Sequence, residues 1–293
     1  MPIRPAVVFR AAALLLSAAF ALGVAAAGDA LGQSLVVTES GLLAVPVTVD
    51  GASYQFIAST GRSRSGVMPS LVGERGLQPA VDAAPGEPAF DMAGLGIGGQ
   101  ALGPVRAALI ETPIRNEPGV RGVLGADVLS RFVVEVDVPG GRLALHVPGK
   151  APAGRTGWGE VSMIVAPSRH ALVQPRVGTT PMTAVIDTGT RRTTINWKAA
   201  QALGLAPTLR QPDAVRTAGD KRLEARASAV AYSFLTLTLG TAQWQNVTLH
   251  IADLPVFAEL GMVDQPAMVM GMDLLGARRF ILDYPGKRVL LGS

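Results

Sequence analysis

The stretch AVIDTGTRRTTIN, Ala184 to Asn196, carries the pattern that decides the fold. A run of apolar residues ends at Asp187 and is followed at once by Thr188, Gly189 and Thr190. An earlier stretch, QFIASTGRSRSGV from Gln55 to Val67, repeats the pattern with Ser59 in the position of Asp187. The first copy keeps the threonine and the glycine, so one motif occurs twice and only the second copy has the carboxylate.

The repetition extends well beyond this motif. Residues 42–79 align without a gap onto residues 170–207, at an offset of 128. Residues 123–145 align onto residues 269–291, at an offset of 146. Matching blocks in the same order in both halves indicate gene duplication, which predicts two similar lobes.

A third pair of blocks gives the positions of the insertions and of the linker. Residues 95–105 match residues 237–247 at an offset of 142, so the second half gains 14 residues and then 4 more. The segment 146–159 is rich in proline and glycine, as linkers are. We expect an N-terminal lobe over residues 28–149 and a C-terminal lobe over residues 150–293.

Hydrophobic periodicity indicates that both lobes are mostly β. Residues 44–59 alternate on either side of Asp50-Gly51, which predicts a hairpin, and residues 176–187 repeat the arrangement. Short helices are predicted in residues 69–79 and 197–207, where a glycine lies near the end of the segment. One more short helix per lobe is predicted in residues 125–132 and 271–280, each of which begins with a glycine. Many short strands, few helices and glycine-rich turns predict an all-β lobe used twice.

The N-terminus has the features of a secretory signal. Arg4 and Arg10 precede an apolar segment, Ala11 to Ala27, that ends in small residues. This order predicts a signal peptide over residues 1–27, cleaved after Ala27. The alternative is a retained anchor, which would be the only link to a membrane. We expect export, to a bacterial periplasm.

Composition excludes several classes of site. The chain has no cysteine, which rules out disulfides, thiol nucleophiles and Cys-ligated zinc. The three histidines lack ligand spacing, so neither a metal nor a cofactor is expected; they are His146, His170 and His250. Removal of Arg4 and Arg10 lowers the formal charge from +4 to +2, and no basic run is interleaved with aromatic residues, so nucleic-acid binding is not expected.

The order of these motifs resembles the aspartic peptidases, and is closest to bacterial retropepsin-like proteins arranged as two lobes in one chain, as in the pepsins. VIDTGT (185–190) matches the catalytic motif of that family, and VLG (123–125) and VMG (269–271) match its second motif, which crosses behind the active loop. The resemblance covers most of residues 42–291. It implies an all-β protein of two tandem acid-protease β-barrel lobes with a few short helices.

The resemblance also implies the chemistry. In the family, two aspartates share one proton; one acts as base toward a bound water and the other as acid toward the scissile carbonyl. Asp187 is then the surviving catalytic residue, and Ser59 stands in the other place without a group that titrates in a useful range. The threonine hydroxyls are expected to brace the two loops, and the loop-support residues are Thr60, Gly61, Thr188, Gly189 and Thr190. Without a carboxylate neighbour, Asp187 is expected to be ionised near neutral pH.

Three functional alternatives follow from the missing carboxylate, and a binding module of another class is the fourth. A slow or specialised peptidase would use Asp187 and Ser59 together on a water. Two chains could pair through their C-terminal lobes, but the N-terminal lobe already fills the partner position, so we expect a monomer. A pseudoprotease would bind peptide without turnover, and a carbohydrate- or envelope-binding module would be favoured if side chains filled the cleft. The expected partner is a peptide or protein substrate.

Two further features carry predictions. The larger insertion falls in residues 215–235, where the family has a flap over the substrate; the predicted tip contains Gly219, Asp220 and Lys221, and a functionless exposed hairpin is the alternative. Asp127 and Asp273 match each other in the repeat. Because the lobe without the catalytic aspartate keeps its copy, we expect a structural role such as helix capping.

Overall fold

The computed structural model describes residues 30–81, 83, 86–110, 117, 119–149, 155–205 and 231–292. The predicted signal peptide, 1–27, and the predicted flap tip, Gly219 to Lys221, lie outside these residues. None of the helices in the described ranges is long and apolar enough to cross a membrane.

Short strands dominate the first half of the described chain, with two brief helices among them. The strands are β1 Ala30–Ser34, β2 Val36–Val37, β3 Leu43–Val49, β4 Ala52–Ala58, β5 Gly66–Val67, β6 Ala89–Met92, β7 Leu95–Ile97, β8 Gln100–Ala101, β9 Val105–Leu109, β10 Val120–Leu124, β11 Val133–Asp137 and β12 Arg142–His146. The helices are α1 Pro69–Arg75 and α2 Ala126–Leu129.

The second half repeats this composition. Its described strands are β13 Gly159–Ser162, β14 Ile164–Val165, β15 Ala171–Val173, β16 Arg176–Val177, β17 Thr180–Pro181, β18 Thr183–Ile186, β19 Thr194–Ile195, β20 Ala231–Leu239, β21 Ala242–Ile251, β22 Ala267–Met270, β23 Arg279–Asp283 and β24 Arg288–Leu291. Its described helices are α3 Trp197–Ala202, α4 Pro255–Glu259 and α5 Met272–Leu275.

These strands form three sheets. A nine-stranded sheet of the first lobe has the order β6-β9-β5-β10-β4-β3-β7-β8, with β2 paired to β3. A nine-stranded sheet of the second lobe has the order β14-β15-β18-β22-β19-β21-β20-β16-β17. A six-stranded sheet, β1-β12-β11-β23-β24-β13, takes strands from both halves. The fold class predicted from the sequence is confirmed.

The predicted hairpin is present as β3 and β4. Val49 pairs with Ala52, and the two residues between them, Asp50 and Gly51, have φ of +47° and +82°. Positive φ at both positions is the type I′ geometry, whose twist matches that of the paired strands. The hairpin brings β4 back through the core and ends it directly before Ser59.

The shared sheet reveals the pseudo-two-fold axis that relates the lobes. β11 and β23 are equivalent strands of the repeat, and they pair with each other in antiparallel register. Glu135 lies opposite Ile281, its own equivalent 146 residues later, so the axis passes between them. Sequence reasoning did not predict this sheet, because periodicity identifies strands but does not name their partners.

Candidate active site

The two motif loops begin at equivalent points of the two lobes. β4 and β18 end at the interface, each beside a parallel neighbour, β10 or β22. Ser59 N donates to Leu124 O at 2.9 Å, and Asp187 N donates to Met270 O at 3.0 Å. The VLG and VMG motifs therefore hold the first residue of each loop in the same way.

Three donors converge on one oxygen of Asp187. Ser59 Oγ and Gly61 N, both from the first lobe, each lie 3.1 Å from Asp187 Oδ1, and Gly189 N lies 2.7 Å from it. The other oxygen, Oδ2, accepts no hydrogen bond from any residue that the structure describes. One carboxylate oxygen is thus fixed and the other is available.

Thr60 and Thr188 brace the loops reciprocally. Thr60 Oγ1 donates to Ile186 O at 2.8 Å, and Thr188 Oγ1 donates to Ala58 O at 2.6 Å. Each hydroxyl also accepts the backbone N–H of the other threonine at 3.2 Å. Both side chains are buried, so the four bonds form a closed interlobe network.

Close approach explains the glycines of both loops. A Cβ on Gly61 would overlap the carboxyl group of Asp187, and a Cβ on Gly189 would overlap the hydroxyl of Ser59. Each loop therefore lies against the side chain that begins the other loop, and any larger residue would force them apart. Thr190 contributes its backbone, since its carbonyl accepts from Met272 N at 2.9 Å.

Burial raises the pKa of Asp187, although no like-charged neighbour is present. The hydrogen bonds from Gly189, Ser59 and Gly61 oppose this rise, and so does the charge of His170. Asp187 as a whole residue is half-buried, but its carboxyl group is surrounded by protein atoms. The resulting loss of hydration raises the pKa by more than the three hydrogen bonds lower it. The pKa of Asp187 is thus raised by burial, whereas in a two-aspartate site one pKa is raised by the neighbouring carboxylate.

Asp127 and Asp273 have structural roles, as expected, although neither occupies an N-cap position. Gly125 and Gly271 occupy the N-cap positions of α2 and α5, and neither cap has a side-chain bond. Asp127 Oδ1 accepts from Val128 N in the first turn of α2 at 3.0 Å. Both aspartates also hold the chain that follows each motif loop. Asp127 Oδ1 accepts from the N–H and the hydroxyl of Ser65, at 2.9 and 2.7 Å.

The second lobe repeats this support. Asp273 accepts from the N–H and the hydroxyl of Thr193 at 2.8 and 2.6 Å, and Thr193 Oγ1 accepts from Gly271 N at 3.0 Å. Sequence reasoning missed both hydroxyl partners. The available signal was a hydroxyl residue, Ser65 or Thr193, at equivalent positions of the two copies.

The comparisons with known proteins agree with this geometry. Residues 173–274, which contain Asp187 and VMG, match the sequence model of the aspartyl protease family. The second lobe is thus similar in sequence to aspartyl proteases over the segment that holds both of its motifs. The first loop makes the same contacts as the second but has Ser59 in place of the aspartate.

Solved structures extend the likeness to both lobes. Conglutin gamma, a basic 7S globulin from lupine seeds, aligns over 91% of this chain and 95% of its own, with 12% identity and a TM-score of 0.52. A retropepsin-like aspartic protease from Rickettsia conorii aligns over 48% of this chain and 96% of its own, with 19% identity and a TM-score of 0.33. The first match supports the two-lobed fold. A search of curated proteins finds no match.

Proposed function

We propose that the chain is an exported aspartic-type endopeptidase that uses Asp187 as its only catalytic carboxylate. The observation that carries this proposal is the asymmetry of that carboxylate. Oδ1 is held by three donors, whereas Oδ2 is unbonded among the described residues. A base held at one oxygen and available at the other is oriented for proton transfer.

In the proposed reaction Asp187 takes up one proton and later releases it, so the carboxylate is regenerated. Asp187 Oδ2 takes a proton from water, the oxygen of that water bonds to the scissile carbonyl carbon, and the carbonyl oxygen becomes an oxyanion. Asp187 then gives the proton to the amide nitrogen as the C–N bond breaks, and a carboxylic acid and an amine leave. Ser59 contributes a hydrogen-bond donor and no net proton.

A raised pKa supports this role for Asp187. A general base works best when its pKa approaches the operating pH, and burial moves the pKa of Asp187 upward. The same carboxyl must serve as base and then as acid, so turnover is expected to be slower than in a two-aspartate site.

The second candidate is a peptide-binding pseudoprotease. Ser59 favours it, because its hydroxyl cannot replace the general acid that the family takes from a second aspartate. In that case the intact loops serve only to shape a binding cleft.

Peptide-library cleavage distinguishes the two candidates. We expect cleavage by the wild type, loss of cleavage in Asp187→Asn, and faster cleavage in Ser59→Asp. Cleavage that appears only in Ser59→Asp would favour the pseudoprotease and reject the endopeptidase.

Export is part of the proposal and rests on the N-terminal sequence. Arg4 and Arg10, the apolar segment and Ala25 to Ala27 favour cleavage and release to a bacterial periplasm. Mass spectrometry of the protein from the periplasmic fraction should give a chain beginning at Gly28; a chain that retains residues 1–27 in the membrane fraction would favour the anchor.

A further inference from the structure

The two lobes carry equivalent turns, each next to the partner lobe's motif loop. In the first lobe, Thr38 N donates to Leu42 O at 2.9 Å. In the second lobe, Ala166 N donates to His170 O at 3.0 Å, which is the same bond 128 residues later. The repeat therefore places His170 where the first lobe has Leu42.

The backbone of the second turn is strained in a way the first is not. Gly41 and Arg169 are equivalent residues, and both have positive φ, +80° and +68°. Glycine adopts this conformation without cost, whereas an arginine does not. The second turn keeps its shape despite this cost, and it positions His170 at the interface between the two lobes.

His170 makes a contact that Leu42 cannot make. Its ring is fully buried, and Nε2 lies 3.0 Å from Gly61 O of the first lobe. A carbonyl oxygen only accepts, so Nε2 carries the hydrogen. Ser168 Oγ lies 2.8 Å from Nδ1 and fixes the ring from the other side.

Gly61 is therefore held on both sides of its Cα. Its carbonyl accepts from His170, and its N–H donates to Asp187 Oδ1 at 3.1 Å. We propose that His170 is a positioning residue that fixes the first loop so that Gly61 N–H stays on Asp187. This inference takes its catalytic meaning from the proposed function, although the contact exists without it.

The asymmetry fits the loss of the first carboxylate. In a two-aspartate site each loop contributes a charged group that draws donors to the interface. Here Ser59 contributes only a hydroxyl, and the extra bond to the first loop comes from the lobe that keeps its aspartate.

The test observes the Gly61 amide by NMR in the ¹⁵N-labelled chain. His170→Leu introduces the residue found at the equivalent position 42, and His170→Gln keeps an N–H donor of similar reach without a charge. In His170→Leu, exchange of the Gly61 amide with solvent should rise about fivefold, as expected for one lost hydrogen bond, and its shift should no longer follow the titration of Asp187. His170→Gln should restore most of the protection.

Two results would overturn the proposal: wild-type protection in a folded His170→Leu, or equal loss of protection in His170→Gln and His170→Leu. If His170→Leu does not fold, Ser168→Ala frees the ring instead, and unchanged protection of Gly61 would count against the proposal. None of these readouts needs turnover, so an absence of peptidase activity leaves the test intact. If the wild type cleaves peptides, His170→Leu should lower kcat more than it changes KM.

Discussion

Thr60 and Thr188, 128 residues apart, each donate a backbone N–H to the other's hydroxyl at 3.2 Å across the pseudo-two-fold axis. The first loop keeps its full share of this network although it lacks the aspartate. The interlobe geometry therefore does not depend on the carboxylate at position 59, and loss of the acid did not require loss of the site.

Removal of one threonine hydroxyl should weaken the whole protein. Thr60→Val keeps the shape and leaves Ile186 O and Thr188 N without their partner. Each buried group left unpaired costs about 1–3 kcal/mol, so for two groups we expect about 2–6 kcal/mol less unfolding free energy in urea titrations. Thr190→Val is the control, because the Thr190 hydroxyl makes no hydrogen bond within the described ranges, and equal losses in both variants would contradict this account.

Arg169→Gly should stabilise the turn that carries His170. Arg169 is exposed and has φ of +68°, whereas its equivalent Gly41 has φ of +80°. Glycine relieves the left-handed strain, although its greater backbone entropy in the unfolded chain offsets part of the gain. The free energy of unfolding should therefore increase by about 0.5–1 kcal/mol. The reverse change, Gly41→Arg, should destabilise. Chemical denaturation measures both effects. An Arg169→Gly variant less stable than the wild type would refute the claim that the Arg169 backbone is strained.

The pKa of Asp187 has a consequence for stability against pH. Its folded-state pKa is raised, so above the ordinary aspartate pKa of about 3.9 the unfolded chain ionises more readily than the folded one. The contribution of Asp187 is fully present below that value and is lost as pH rises through the folded pKa. Ionised Asp187 should thus lower stability at neutral pH.

Asp187→Asn tests this directly, because an amide oxygen can accept the same three hydrogen bonds. We expect this variant to be more stable than the wild type at pH 7, by a margin that shrinks toward pH 4. The control is Asp264→Asn, an exposed residue without a hydrogen bond among the described residues. A margin independent of pH, or a wild type that is the more stable at pH 7, would show that Asp187 is not desolvated.

Ser59→Asp should rebuild a two-carboxylate site. Ser59 Oγ lies 3.1 Å from Asp187 Oδ1, so a carboxylate there would have to share a proton with Asp187. We expect faster peptide cleavage with an optimum moved to lower pH, measured as rate against pH. Ser63→Asp adds the same charge to the same loop and should leave the optimum unchanged; an equal shift in both would indicate a general charge effect.

The fold and the facing loops could be predicted because their signals are local and repeated. The Asp50-Gly51 turn specifies a hairpin, and the motif around Ser59 aligns with that around Asp187 residue by residue. The shared six-stranded sheet could not be predicted, since nothing in the strand patterns names Ile281 as the partner of Glu135.

The support of the site was harder to predict than the site itself. His170 appears in the alignment only as one difference from Leu42 among many, and its contact with Gly61 depends on how the lobes dock. Asp127 was expected to have a structural role such as helix capping. It lies in the first turn of α2, where it accepts from Val128 N, but its carboxylate also reaches back to Ser65, which the sequence pattern did not indicate. The contact of His170 depends on how the two lobes pack together, and that of Asp127 on the direction of its side chain. The sequence pattern specifies neither.

The most direct test of the account is kcat/KM for the best library peptide, compared between the wild type and Asp187→Asn. The account predicts measurable cleavage by the wild type, a loss of about 10²–10⁴-fold in Asp187→Asn, as for removal of a general acid–base, and no loss in Asp264→Asn. Cleavage that persists in Asp187→Asn, or a wild type that cleaves no peptide in the library, would contradict it.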